Sequence, residues 1–179
     1  MVDDWPVVGS ETTYENLHFS VKRDRVEVPD GETTDYYRID FGQGGVIALG
    51  VDDGDVIFVD LYRPRLGTGM LELPGGGIDP GESPEAAAKR EFAEETGLVP
   101  ESARCLGSFH FSAWTRTTRE IVWVDDFEPA PDIDPESEVL GVQRVPVDRA
   151  LDAAREPPAG EWNVTALCLA QRDGLIEGL

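Results

Sequence analysis

The chain has 179 residues, enough for one domain, or one domain with a small appendage, to bury a core without disulfide staples. Hydrophobic residues make up 40% of it, so a folded globular protein is expected. Thirty-six acidic side chains oppose 15 basic ones, a formal net charge of −21, which repels nucleic acid and anionic membranes at long range. The acids are spread along the whole chain and form no Asp-x-Asp-x-Asp-Gly loop. Adaptation to a salty cytoplasm is therefore favoured over a calcium-binding surface. Cys105 and Cys168 have no paired spacing and read as two small buried side chains. Met1 to Trp5 lacks a basic, apolar leader, and no apolar run approaches the roughly 18 residues of a membrane span. The expectation is a cytoplasmic protein.

In chain order, residues 1–10 read as a loose acidic lead. Leu17–Val21, Arg25–Val28 and Tyr36–Ile39, with a turn at Pro29-Asp30-Gly31, predict a small antiparallel unit over residues 1–41. Gly45–Leu49 and Asp55–Tyr62 are apolar strands joined by hairpin chemistry at Asp52-Asp53-Gly54. Leu71–Leu73 is a short strand before a glycine-rich loop, Pro74–Gly81. A helix follows. Ser83 caps it, Pro84 suits its first position, Ala86, Ala87 and Ala88 favour it, and Gly97 stops it. Cys105–Phe111, Glu120–Val124 and Val139–Val145 are predicted strands, residues 128–137 a loop, and Asp148–Glu156 and Glu161–Asp173 closing helices.

The chemistry concentrates in one spaced set: Gly76, Glu82, Arg90-Glu91, Glu94-Glu95 and Gly97. On a helix, Glu91, Glu94 and Glu95 share one face, because positions i, i+3 and i+4 are neighbours. Carboxylates so crowded repel one another unless a hard divalent cation sits among them. Arg90 could hold one of them by a bidentate bond. The glycine loop lets backbone come close and offer a carbonyl oxygen. Hard oxygen donors suit Mg²⁺ or Mn²⁺ and phosphate chemistry. A solvated acidic helix face is the ordinary reading of Glu94-Glu95 alone. Seven identities at fixed offsets arise by chance in roughly one such chain in 10⁵, which overturns it.

Gly76-x₅-Glu82-x₇-Arg90-Glu91-Phe92-Ala93-Glu94-Glu95-Thr96-Gly97-Leu98 resembles the Nudix box at every fixed position, over 23 of the 179 residues. Phe92 is aromatic where the family more often has an aliphatic residue. Leu61-Tyr62-Arg63-Pro64 and Glu72-Leu73-Pro74-Gly75-Gly76 resemble the segment before the box in ADP-ribose pyrophosphatases, and the N-terminal strands resemble that subfamily's dimer-forming sheet.

The resemblance implies an α/β Nudix fold: an α-β-α sandwich on a mixed central sheet over residues 42–179, plus the antiparallel unit. It implies Mg²⁺ or Mn²⁺ held by Glu91, Glu95, Glu94 and the Gly75 carbonyl, with Glu82 and Arg90 orienting the carboxylates. Arg63 and Glu72 would hold substrate, and Arg38 would reach it from the partner subunit of a homodimer. Glu138, with Glu136 as alternative, would supply a later base, or Glu94 would take that role. The reaction implied is hydrolysis of a pyrophosphate bond, ADP-ribose giving AMP and ribose 5-phosphate by in-line attack of an activated water.

Where those enzymes carry a proline downstream of the box, this chain has Ala113, in Ser112-Ala113-Trp114-Thr115. That leaves open a nucleotide sugar, a dinucleoside polyphosphate or a nucleoside triphosphate as substrate, and a non-catalytic nucleotide-sensing module. Trp114 reads equally as a base-stacking ring or an ordinary packed aromatic. His18 and His110 read as satisfied structural histidines on strands.

Overall fold

In a computed structural model, residues 4–129 and 139–179 are described. The backbone separates into two compact units. One runs to Gly44 and includes Phe109–Thr118; the other comprises Gly45–Ser108 and Arg119–Leu179.

The first unit is a three-stranded antiparallel sheet in the order β1 (Val7–Glu15), β2 (Ser20–Glu27), β3 (Thr33–Asp40). Two expectations are corrected here. Residues 7–10 are not part of a loose lead, since β1 begins at Val7 and pairs along β2 from Val7↔Val26 to Glu15↔Ser20. Ser20–Glu27 is also one strand rather than two pieces. Charged residues interrupt its apolar pattern, and they pair across the strands: Arg23 with Glu11 and Asp35, Lys22 with Asp40. Asp24 is buried and accepts from Ser10 and from Arg38 Nε. Those bonds outweigh burial, which alone would raise its proton affinity, and hold it below the usual carboxylate range. The Ile39 amide donates to the Trp114 carbonyl at 2.7 Å, which ties Phe109–Thr118 to β3.

The second unit is the α-β-α sandwich. Its mixed sheet runs β6 (Thr68–Glu72), β5 (Asp55–Arg63), β4 (Gly45–Asp52), β8 (Thr118–Pro129), β7 (Leu98–His110), with β9 (Val139–Pro146) on β5. β4 and β8 are parallel; β5 is antiparallel to β4, β6 and β9. β4 is apolar without alternation because both its faces are covered. Val46 and Ala48 pack with Ala87, Ala88 and Phe92 of α1 (Pro84–Thr96). Ile47 and Leu49 pack with Ala150 of α2 (Val147–Ala153) and with Ala166, Leu167 and Ala170 of α3 (Glu161–Arg172).

The box position that departs from the family is accommodated locally. Phe92 is fully buried and stacks on Phe127 at 5.2 Å, and Gly50 in β4 makes room for both rings. Cys105 and Cys168 are exposed, not buried; each sits on the outer side of its element. His18 and His110 are exposed as well, and His18 lies in a bend rather than a strand. No helix among the described residues is long and apolar enough to cross a membrane.

Candidate active site

A splay in the sheet places the glycine loop. β4 pairs with β5 only at Val51↔Val56 and Asp52↔Asp55, next to the hairpin turn. Farther along, the edge of β4 is taken by the chain leaving β6: the Ala48 amide donates to the Pro74 carbonyl at 2.7 Å and the Val46 amide to that of Gly76 at 2.9 Å. Asn163, buried in the first turn of α3, anchors this passage. Its side chain accepts from the Leu73 amide at 3.0 Å and donates to the Leu71 carbonyl at 2.8 Å.

Only glycine fits where the loop meets α1. A Cβ on Gly76 would run into the Glu91 carboxylate, and one on Gly75 into the Val46 carbonyl. The helix is fixed at both ends as its sequence predicts. Ser83 Oγ accepts from the Ala86 amide, Pro84 opens the first turn, and Gly97 closes it at φ 71°.

Glu91 and Glu95 are 7% and 4% exposed, rare values for carboxylates, and one helical turn separates them. Glu95 Oε2 accepts the Gly75 amide at 3.0 Å. Glu94 is more exposed.

Arg90 is the hub of the cluster. It donates to both oxygens of Glu82 (3.1 and 2.9 Å), to Glu91 Oε1 at 2.8 Å, to Glu94 Oε2 at 3.1 Å and to the Gly77 carbonyl at 2.9 Å. Where one bidentate partner was anticipated, three carboxylates converge on one guanidinium. Glu82 raises the proton affinity of Arg90 further, and Arg90 in turn holds the Glu82 carboxyl below its usual range. Among the described residues no three acidic, histidine or cysteine side chains form a ready coordination sphere, and Arg90 bonds Glu82, Glu91 and Glu94.

Arg63 and Glu72 form a bidentate pair, at 2.9 and 2.6 Å. Arg38 belongs to the other unit and is held there by Asp24 at 2.8 Å and Asp40 at 3.1 Å. Trp114 is 64% exposed, so it is not a packed aromatic. Glu136 and Glu138 lie outside the described residues. The sequence reading passed over Arg119, whose guanidinium carbon lies 5.5 Å from the Trp162 ring centroid. Its one signal is position: a cation two residues before the apolar run Ile121–Val124 of β8.

The family described as "NUDIX domain" matches residues 43–167, and the "Nucleoside diphosphate sugar hydrolase N-terminal domain" matches residues 5–39. An ADP-ribose pyrophosphatase of Mycobacterium tuberculosis is 35% identical over 105 residues, 58% of this chain and 50% of that protein. One from Bacillus subtilis is 34% identical over 88 residues, 49% of this chain and 47% of that protein. An ADP-sugar pyrophosphatase of Mus musculus is 56% identical over 50 residues, 28% of this chain and 23% of that protein. The chain thus spans about half the length, or less, of these curated relatives. A solved structure described as an ADP compounds hydrolase superposes with a TM-score of 0.89, covering 100% of this chain and 99% of that one at 24% identity, which shows a shared fold.

Proposed function

Because the chain belongs to the Nudix family, we propose that it hydrolyses a pyrophosphate bond in a nucleoside-diphosphate derivative, with ADP-ribose the first substrate to test. The observation that carries this reading is the pair of buried carboxylates, Glu91 and Glu95, pressed against a loop that has no room for a side chain at Gly75 or Gly76. Buried anions need a positive partner. Arg90 supplies one for Glu91 and for Glu94. Two hard carboxylates one turn apart, with the Gly75 carbonyl as a further oxygen donor, would suit a hard divalent cation such as Mg²⁺ or Mn²⁺. Such a cation, when bound, neutralises the diphosphate and activates water for attack on phosphorus.

The chain's own residues do the rest. Glu82 and Arg90 fix the carboxylate rotamers, Glu94 is the described carboxylate exposed enough to accept a proton, and Arg63 with Glu72 offers a rigid donor–acceptor pair to substrate. Glu138 is kept as the alternative base. The names of the relatives favour ADP-ribose or an ADP-sugar. We also infer a homodimer paired through the N-terminal sheet, because β1 is exposed along all nine residues and carries Val7, Val8 and Tyr14.

The test is incubation with ADP-ribose, ADP-sugars, dinucleoside polyphosphates and nucleoside triphosphates, with Mg²⁺ and with a chelator, the products separated by chromatography. Release of AMP that stops on chelation and returns with Mg²⁺ or Mn²⁺ is expected. Binding without product from any of these compounds would refute catalysis and leave a nucleotide sensor. Light scattering after size exclusion tests the dimer, and a monomer mass at micromolar concentration rejects it.

A further inference from the structure

β6 changes neighbours at its end. Its ladder with β5 stops at Val59↔Glu72, and from Pro74 the chain bonds to β4 instead, where the Pro74 carbonyl accepts the Ala48 amide and the Gly76 carbonyl that of Val46. Leu73 lies between the two ladders. Its amide donates to Asn163 Oδ1 at 3.0 Å, and Asn163 Nδ2 donates to the Leu71 carbonyl at 2.8 Å. One side chain, 2% exposed, thus holds the residues on either side of Glu72 at the changeover. The Glu72 carboxylate accepts from Arg63 Nε at 2.9 Å and from Arg63 Nη2 at 2.6 Å.

We propose that Asn163 is a positioning residue for substrate binding, whose side-chain amide locks the register of this changeover and so holds the Glu72 carboxylate on Arg63. This rests on the hydrolase reading above, in which that pair meets substrate. Packing alone does not supply the lock. Leu71 and Leu73 lie in the same apolar cluster as Ala166, Leu167 and Ala170 of α3, and apolar contacts are non-directional. A strand that slips by one residue turns every side chain to the opposite face. At Glu72 such a slip would carry the carboxylate away from Arg63. A donor and an acceptor on one buried amide favour a single register, because a slipped strand would leave buried polar groups without partners. The glycine loop has holds of its own: Pro74 and Gly76 are bonded to β4, and Gly75 to Glu95. Loss of the Asn163 amide should therefore be felt at the Arg63–Glu72 pair and not at the carboxylates of α1.

The experiment compares the full-length wild type with Asn163→Asp, which keeps the acceptor and loses the donor, Asn163→Leu, which loses both, and Leu167→Ala. The last removes packing from the same helix without touching either bond, so it controls for lost stability. Steady-state kinetics use ADP-ribose with Mg²⁺, well below the melting temperature of each protein. Hydrogen exchange at Arg63 Nε, followed by nitrogen-15 NMR and assigned by the signal missing from Arg63→Lys, reports the bond to Glu72 directly. Both Asn163 variants should raise KM by roughly tenfold with kcat within about threefold, the mark of lost binding rather than lost chemistry. Both should also speed exchange at Arg63 Nε by about tenfold or more. Leu167→Ala should melt at a lower temperature yet keep KM and Arg63 exchange within about twofold of wild type. Arg63 exchange unchanged in the Asn163 variants overturns the proposal, and so does a fall in kcat with KM constant. An equal rise in KM for Leu167→Ala assigns Asn163 a merely structural role and also overturns it. Should Asn163→Leu not fold, Asn163→Asp decides. The Arg63 signal is read without turnover, so failure of the hydrolase reading is visible separately, as a wild type that forms no product.

Discussion

Glu95 Oε2 accepts the Gly75 amide at 3.0 Å, and that bond ties the carboxylate to the glycine loop. Glu95 is buried, so it belongs to the packed side of α1 rather than to its solvent face. Glu95→Gln should keep the bond, because the amide oxygen still accepts, while removing the negative charge. Partners that merely support a metal ligand cost 10–100-fold when lost, so removing a ligand should lower kcat/KM by at least about 100-fold. Circular dichroism should show a fold like wild type, and calorimetry should show weakened Mg²⁺ binding. Near-normal turnover by a folded Gln variant would remove Glu95 from the site.

Gly76 offers a purely steric test. Gly76→Ala places a methyl group against the Glu91 carboxylate, so the loop, the carboxylate or α1 must shift. A misplacement of about 1 Å at a catalytic group can cost 100-fold. We expect kcat to fall by one to two orders of magnitude while the adjacent Gly77→Ala, whose Cβ would meet nothing within 4 Å, stays within about threefold. Equal rates for the two variants would show that the close approach of Gly76 has no part in turnover.

What the sequence disclosed and what it hid divide along a physical line. Ser83, Pro84 and Gly97 act within their own helix, so the bounds of α1 could be read before any fold was known. β4 announced itself by an unbroken apolar run, because covering both faces imposes that pattern. β1 gave no such signal: all nine of its residues are exposed, and the middle of its run faces the charged stretch Lys22–Arg25 of β2. The spacing makes Arg90 a clamp for one carboxylate, but three of its five bonds go to Glu82 and Gly77, across a loop whose path the spacing does not determine. Arg119 and Trp162 are remote in the chain and meet only because β8 lies beside β4 and Asn163 pins the start of α3. The exposed cysteines show the limit of composition, since a pattern that excludes disulfides does not determine burial.

The aromatic at the box position makes a prediction about packing. A Cβ on Gly50 would lie 2.7 Å from Phe127 Cζ and 3.0 Å from Phe92 Cζ, so Gly50→Ala overpacks a filled core. Such overpacking costs roughly 1–3 kcal/mol, and for a chain of this length each kcal/mol shifts the melting temperature by about 2–4 °C. Phe127→Leu leaves space at the same point. Gly50→Ala should therefore cost less in the Phe127→Leu background than alone, a favourable coupling read by calorimetric melting of the four proteins. Strict additivity would show that Phe127 is not what excludes a side chain at position 50.

In the N-terminal unit, Asp40 links sequence charge to pH dependence. The Gly42 amide, Lys22 and Arg38 all donate to it or pair with it, and together they lower its pKa from 3.8 to about 2. A folded-state value below the unfolded one means that the group stabilises the fold above the unfolded pKa and ceases to do so as pH falls through the folded one. The Asp40 contribution should thus be complete above about pH 4 and disappear toward pH 2. Asp40→Asn removes that titration. Urea unfolding at dilute protein should show the Asn variant less stable than wild type at pH 6, with the gap closing steadily between pH 4 and pH 2. A gap that stays constant over that interval would show that the native bonds of Asp40 do not depend on its charge.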